Sequence, residues 1–230
     1  MKTLGLIGGT TWLSTIDYYR TINQIVNERL GGLSSAKILM YSLDLEEFRP
    51  PADPKDWGNR VGFLIGVAKM LEKGGADCLV LCANTPHLVA DGIQKQIGIP
   101  LIHIADATAN EVTKRKFTKV GLLGTRTTME QPFFKDRLTK NGITTLLPDD
   151  GEREFIHANI FDELAKNKFK PETKKKYLTI IEKLRGKGAQ GIILGCTEIP
   201  LLIKQSDCDL PLFDTTTLHA KAAAEFALQS

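Results

Sequence analysis

The sequence predicts an α/β fold built of two similar parallel-sheet halves. Three observations carry that prediction. Apolar, β-branched-rich runs of strand length alternate with segments of helical period along the chain. The runs are apolar throughout, which fits strands covered on both faces of a parallel sheet. Three segments of the first half also recur, in order, in the second. Gly75–Thr85 aligns without gaps on Gly188–Glu198, Leu4–Gly8 on Val120–Gly124, and Ile99–Ile102 on Leu210–Phe213, at offsets of 113, 116 and 111 residues.

The expected strands are Thr3–Gly8, Lys37–Leu43, Cys78–Cys82, Ile99–Ile104, Lys119–Gly124, Ile143–Leu147, Gly191–Gly195 and Pro211–Phe213. Trp57 to Lys73 reads as a helix, with Val61, Leu64, Ile65, Ala68 and Leu71 on one face and Gly74-Gly75 as its stop. Pro171 to Lys187 reads likewise, with Tyr177, Ile180, Ile181 and Leu184 on one face. Four strands per half set the expected domains at 1–98 plus 210–230, and 99–209. In open α/β sheets ligands sit beyond the carboxyl ends of strands. Two facing halves would then put Ala83 and Cys196 on opposite walls of one cleft.

Composition narrows the class of function. The chain of 230 residues is 42% hydrophobic and 25% charged, the balance of a soluble globular protein. A net charge of +3 is too small a basic excess to argue for nucleic acid. Lys174-Lys175-Lys176 lies in a helical pattern and reads as a solvated face. No window is long and apolar enough for a membrane span, and the opening MKTLGLIGGTT is broken by glycines where an export signal needs an apolar run. The expectation is a cytoplasmic protein with reduced cysteines. Cys78, Cys82, Cys196 and Cys208 complete no metal-ligand pattern, so no metal is assigned.

The segment Ile192–Leu202, IILGCTEIPLL, is the most informative. An apolar strand ends at a small residue, followed by a thiol, two polar groups and a helix starting near Pro200. A cysteine at that point is expected to feel the helix dipole, which lowers its pKa toward reactivity. A buried structural cysteine is the bland alternative.

Here the sequence resembles the aspartate/glutamate racemase family. GCTEIPLL matches that family's second signature at every position, and LCANTPH, residues 81–87, resembles its first. LGLIGGTTWLST and LLGTRTTM resemble further family loops, so the likeness spans the chain in order. It implies two pseudo-symmetric, flavodoxin-like parallel-sheet domains with the active site in the cleft between them. It implies cofactor-independent racemisation of a small acidic amino acid, aspartate or glutamate, with no metal and no cofactor, commonly in a homodimer. Two thiols suit that chemistry. One thiolate removes the α-proton while a thiol on the other face returns one. The carbanion is stabilised by donors aimed at the α-carboxylate, which glycine-rich strand–helix turns supply.

By resemblance, the substrate-binding residues are Gly9, Thr10, Thr11, Asn84, Thr85, Thr125, Thr127, Thr128, Thr197 and Glu198. Arg49 is placed where relatives clamp the side-chain carboxylate, a task suited to bidentate geometry. Lys166 lies beside the position of a substrate-binding lysine in some relatives. Glu198 is expected either to tune Cys196 or to serve as a helix N-terminal charge. His87 reads as an early-helix residue near the cleft rim, and His103 and Asp214 end matching strands. Tyr18 and Tyr19 read as helix packing.

Cys196 is the expected catalytic thiol. The departure lies at position 83, where two-cysteine relatives carry the first thiol and this chain has alanine. Cys82 is one step back, on the opposite face of a strand, and is the weaker catalytic candidate. Two other readings stay open. One is a single-thiol enolate-protonating enzyme, such as a malonate-type decarboxylase. The other is a non-catalytic binder of acidic metabolites.

Overall fold

The computed structural model describes residues 1–46, 48 and 58–229; of Gly58 and Asn59 it describes the backbone alone. The element order is β1 Thr3–Gly8, α1 Trp12–Leu30, β2 Lys37–Ser42, α2 Gly58–Lys73, β3 Cys78–Leu81, α3 Ala90–Gln94, β4 Leu101–Ile102 and α4 Ile104–Lys114. It continues with β5 Lys119–Gly124, α5 Arg126–Glu130, α6 Pro132–Lys140, β6 Thr144–Leu146, α7 Asp150–Asp162, α8 Pro171–Gly186, β7 Ile192–Gly195, α9 Ile199–Leu202, β8 Leu212–Asp214 and α10 Thr215–Ala227. The chain divides into two units, Met1–Ile104 with Thr216–Ser230, and Ala105–Thr215.

The first unit holds a parallel sheet ordered β2-β1-β3-β4, the second a parallel sheet ordered β6-β5-β7-β8. The same order in both follows from the sequence repeat. The domain boundaries expected after residues 98 and 209 are corrected by strand pairing. Leu79 pairs with Leu101 in the first sheet, and Ile193 with Phe213 in the second. Each fourth strand therefore stays with the three before it, and the crossings fall after Ile104 and Thr215.

In the first unit, strand alternation sorts the core into two layers. Leu4, Leu6, Cys78, Val80 and Cys82 pack with Tyr18, Ile22 and Val26 of α1 and with four alanines of α10. Ile7, Leu79 and Leu81 pack on the other face with Leu64, Val67, Ala68 and Leu71 of α2 and Ala90 and Ile93 of α3. The helix expected from Trp57 begins, among the described residues, at Gly58 and carries its expected apolar face inward. Tyr18 is fully buried, whereas Tyr19 is 53% exposed and does not pack as expected.

In the second unit, Tyr177, Ile180, Ile181 and Leu184 of α8 are buried, as the helical period requires. The helix α7 begins at a full capping box, with the Asp149 carboxylate accepting from Glu152 N–H and Glu152 accepting from Asp149 N–H.

Candidate active site

The chemistry-bearing residues gather at the carboxyl ends of the two central strands of each sheet. In the first unit β1 and β3 run side by side, with Ile7 opposite Leu81. The β1 turn needs glycine. Gly9 has φ +85°, and a Cβ there would lie 2.1 Å from the Leu43 carbonyl oxygen. Its N–H donates to Thr15 Oγ1 at 2.8 Å, and Thr15 Oγ1 donates to the Thr11 carbonyl at 3.0 Å. Thr11 is the N-cap of α1, accepting from Ser14 N–H at 3.4 Å. Thr10 and Thr11 remain half-exposed. The glycine turn thus leads directly into a capped helix N-terminus, with Thr10 and Thr11 between them.

At the end of β3, Ala83 N–H closes a tight turn on the Leu81 carbonyl at 2.8 Å. Asn84 is buried and Thr85 half-buried, opening a single 3-10 turn, Thr85–Val89. Ala83 belongs to neither apolar layer of the unit. Cys82 does. It is 1% exposed, and burial pushes its thiol well above the ordinary cysteine range. Strand alternation, not distance in sequence, turns it from the strand end toward α1 and α10.

His87 corrects the expectation of a rim residue. It is 1% exposed, with its ring 4.6 Å from that of His103 and 5.3 Å from that of His219. Burial, then the neighbouring His103 and His219, holds its pKa well below the usual imidazole range. His219 Nε2–H donates to the Ile102 carbonyl at 2.7 Å, and its Nδ1 accepts from Tyr18 Oη–H at 2.8 Å. Burial lowers the His219 pKa to about 4. The strand expected to reach Ile104 stops at Ile102, because Ile104 N–H leaves the ladder to donate to His87 Nε2 at 3.2 Å. His103 is buried just past that strand, and Asp214 ends β8.

In the second unit β5 and β7 end together, Gly124 opposite Gly195. A Cβ on Gly124 would lie 2.7 Å from the Gly195 carbonyl oxygen, so backbone meets backbone there. Thr125 caps α5, accepting from Thr128 N–H at 3.3 Å, and the two buried hydroxyls are 3.2 Å apart. Thr127, on the same turn, is half-buried. Beside this turn, Cys196 Sγ–H donates to Glu198 Oε2 at 2.9 Å, and Thr197 Oγ1–H donates to the same oxygen at 2.9 Å. Cys196, Thr197 and Glu198 are 7%, 7% and 3% exposed, so this trio works at low dielectric.

The expected lowering of the Cys196 pKa is corrected. Burial, then the Glu198 charge and its hydrogen bond, pushes the thiol well above the ordinary range. The physical reason is plain: α9 has four residues and little dipole to offer, while a carboxylate sits on the sulfur. The resting group is a thiol hydrogen-bonded to a carboxylate oxygen.

Lys166 ends a 3-10 turn, Leu164–Lys166, that packs against α9, and its side chain is exposed. Arg49 lies outside the described residues. Sequence reasoning treated Tyr177 only as part of a helix face. Its hydroxyl is fully buried without a hydrogen-bond partner among the described residues. Burial, then the charges of Cys196 and Glu163, raises its pKa well above the usual phenol range. The α8 period showed that Tyr177 faces inward; nothing local showed that the charges of Cys196 and Glu163 bear on its phenol. His219 was also missed. The signal available was that three of the four histidines follow the ends of apolar runs or lie inside an alanine-rich helix.

Among the described residues no group of three or more His, Cys, Asp or Glu side chains could hold a metal ion. No helix among them is long and apolar enough to cross a membrane.

Comparison with known proteins places this geometry. The sequence pattern of the Asp/Glu/hydantoin racemase family matches residues 7–223. A solved Yersinia pestis structure, described as a candidate Asp/Glu racemase, is 49% identical, with a TM-score of 0.93 over 100% of both chains. A solved aspartate racemase homologue from Pyrococcus horikoshii is 40% identical, with a TM-score of 0.86 over 100% of both chains. The broad-specificity amino-acid racemase RacX of Bacillus subtilis is 24% identical over 159 residues, 69% of this chain and 68% of that protein.

Proposed function

The chain belongs to the Asp/Glu/hydantoin racemase family, and from that premise we propose that it exchanges the Cα proton of an acidic amino acid, aspartate or glutamate, without a cofactor. The observation that carries the proposal is the buried Cys196–Glu198 hydrogen bond. A thiol takes a carbon-bound proton only as thiolate. Its own proton must first go somewhere, and the Glu198 carboxylate is already its acceptor. Moving the proton along this 2.9 Å hydrogen bond from Sγ to Oε2 makes a desolvated, strongly basic thiolate next to a neutral acid. That thiolate removes the Cα proton and so becomes a thiol again, while the proton left on Glu198 passes to solvent and balances the one that water delivers to the carbanion.

The carbanion needs its charge held on the α-carboxylate. Thr10, Thr11, Asn84 and Thr85 are the proposed donors of the first unit, with Gly9 shaping the turn beside them because its N–H is held by Thr15, and Thr125, Thr127, Thr128 and Thr197 are those of the second. Preorganised donors of this kind are worth most where water is excluded. Lys166 is proposed to contact the side-chain carboxylate, and so, on sequence alone, is Arg49. Reprotonation on the other face is the weak half of the reaction. Ala83 has no proton to give, and Cys82 turns into the core. That proton then comes from water, so racemisation is slow or favours one enantiomer as substrate. A cytoplasmic homodimer is part of the same reading, supported by resemblance.

Alanine at position 83 also favours a second reading, single-thiol protonation of an enolate from a prochiral diacid. The test is initial rates of L-to-D and D-to-L conversion for aspartate and glutamate. Conversion of either supports the racemase. No conversion of either, with stereochemically pure product from a malonate-type diacid, favours the second reading.

A further inference from the structure

Three of the four histidines are buried in one cluster in the first unit, and the reaction proposed above uses none of them. The central one, His87, has both ring nitrogens engaged by backbone. Nδ1 lies 2.8 Å from the Ala83 carbonyl oxygen, and Nε2 lies 3.2 Å from Ile104 N. A carbonyl can only accept and an amide N–H can only donate. The two partners therefore assign a neutral ring protonated at Nδ1. The ring is also fixed from the side, packed edge-on against His103 and His219, and His219 is itself held by Tyr18 Oη and the Ile102 carbonyl.

This bond sets the orientation of one peptide plane. The chain has no cis peptide bonds among the described residues. In a trans peptide the C=O and the following N–H point in opposite directions. With its carbonyl drawn to the buried His87 ring, the Ala83–Asn84 peptide sends Asn84 N–H away from that ring, at the carboxyl end of β3. The tight turn from Ala83 N–H to the Leu81 carbonyl pins the near side of the same residue. Without the histidine donor, the Ala83 carbonyl loses the bond that draws it to the ring.

We propose that His87 is a positioning residue: by holding the Ala83 carbonyl in the core, it aims the Asn84 N–H at the carboxylate of the bound amino acid. The inference rests on the reading above that the protein acts on an acidic amino acid. It explains why a buried imidazole follows this turn where a leucine would fill the space. A leucine gives the Ala83 carbonyl no donor. An asparagine at 87 is close to leucine in shape and carries a side-chain N–H near the place of Nδ1. The ring stays neutral because burial and the two other histidines oppose a second proton. The titratable groups that face it are His103 and His219, each from a different segment of the unit.

The test compares the parent with His87→Asn and His87→Leu, using L-aspartate as probe. Losing one hydrogen bond to a charged group is expected to raise the KM of His87→Leu about ten- to hundredfold. His87→Asn is expected to restore KM to within a few-fold of the parent at a similar Tm. Leucine matching the parent, or asparagine failing as badly as leucine, overturns the proposal. If the leucine protein does not fold, amide and imidazole NMR of the parent decide. The expected result is an Nδ1–H tautomer at His87 and a shift of the Asn84 amide on titration with L-aspartate. An Nε2–H tautomer, or an Asn84 amide that stays still while other amides shift, overturns this role alone. If no amide shifts, the acidic amino-acid reading falls and this role falls with it.

Discussion

The Cys196 thiol donates a 2.9 Å hydrogen bond to Glu198, two residues along the same strand-end turn. In the mechanism proposed above, the carboxylate plays two opposed parts. Its charge keeps the proton on sulfur at rest, and its oxygen is the place that proton goes. Glu198→Gln separates them. Removing the charge should let Cys196 ionise at lower pH, while removing the proton acceptor should slow Cα exchange by roughly 10²–10⁴-fold, the usual worth of a positioned acid–base group. Site-resolved alkylation by iodoacetamide across pH reads the first, and exchange rates read the second. If the alkylation profile does not move to lower pH and exchange is unchanged, Glu198 only packs against the thiol.

Cys82→Ser should leave exchange nearly unchanged, because that side chain lies in the apolar layer formed with α1 and α10. It should cost about 1–3 kcal/mol of stability, since serine brings a hydroxyl into that layer. Kinetics and chemical denaturation of the same sample check both halves. A large loss of exchange in a stably folded variant would make Cys82 a participant.

Ala83→Cys should raise racemisation in at least one direction. It restores a thiol at the position that the sequence repeat pairs with Cys196. Ala83, though buried, belongs to neither apolar layer of its unit, and the change adds a single sulfur, so overpacking should be small. The gain expected for a well-placed acid–base group is up to about 10²–10⁴-fold. A folded variant that binds substrate and shows no gain in either direction would mean that position 83 is not a vacated catalytic position.

Acid should weaken the fold above the range where carboxylates titrate. His219 has a pKa of about 4 when folded, against 6.5 for an ordinary histidine, because burial opposes its charge. Between those values the unfolded chain binds the extra proton and the native chain does not. This contribution is therefore fully present above about pH 6.5 and is lost as pH falls toward 4, by about 3 kcal/mol in all. His87 shifts in the same direction. Thermal melts from pH 7.5 to 4.5 should show Tm falling by roughly 6–12 °C. A flat Tm over that range would contradict the buried neutral cluster.

The strand runs were legible because they are local. Thr3–Gly8 and Lys119–Gly124 form strands over the expected spans, and alternation put Cys82 on the packing face where it lies. What failed was set by distant partners. The fourth strand ends two residues early because Ile104 N–H is taken by His87, seventeen positions back. His219 reaches Ile102 across 117 positions. The Cys196 pKa was misjudged because a helix start was visible in sequence, but neither the brevity of α9 nor the turn of the Glu198 side chain onto the sulfur was.

The most direct test of the thiol account is solvent exchange at Cα. Parent and Cys196→Ser proteins are incubated in D2O with each enantiomer of aspartate and glutamate, and the loss of the Cα proton signal is followed by NMR. Binding is checked by titration of the same samples. The account predicts deuterium at Cα with the parent, and none with Cys196→Ser although that variant still binds the amino acid. Exchange that persists in the folded Cys196→Ser protein, or a parent that binds both enantiomers and exchanges neither, would contradict it.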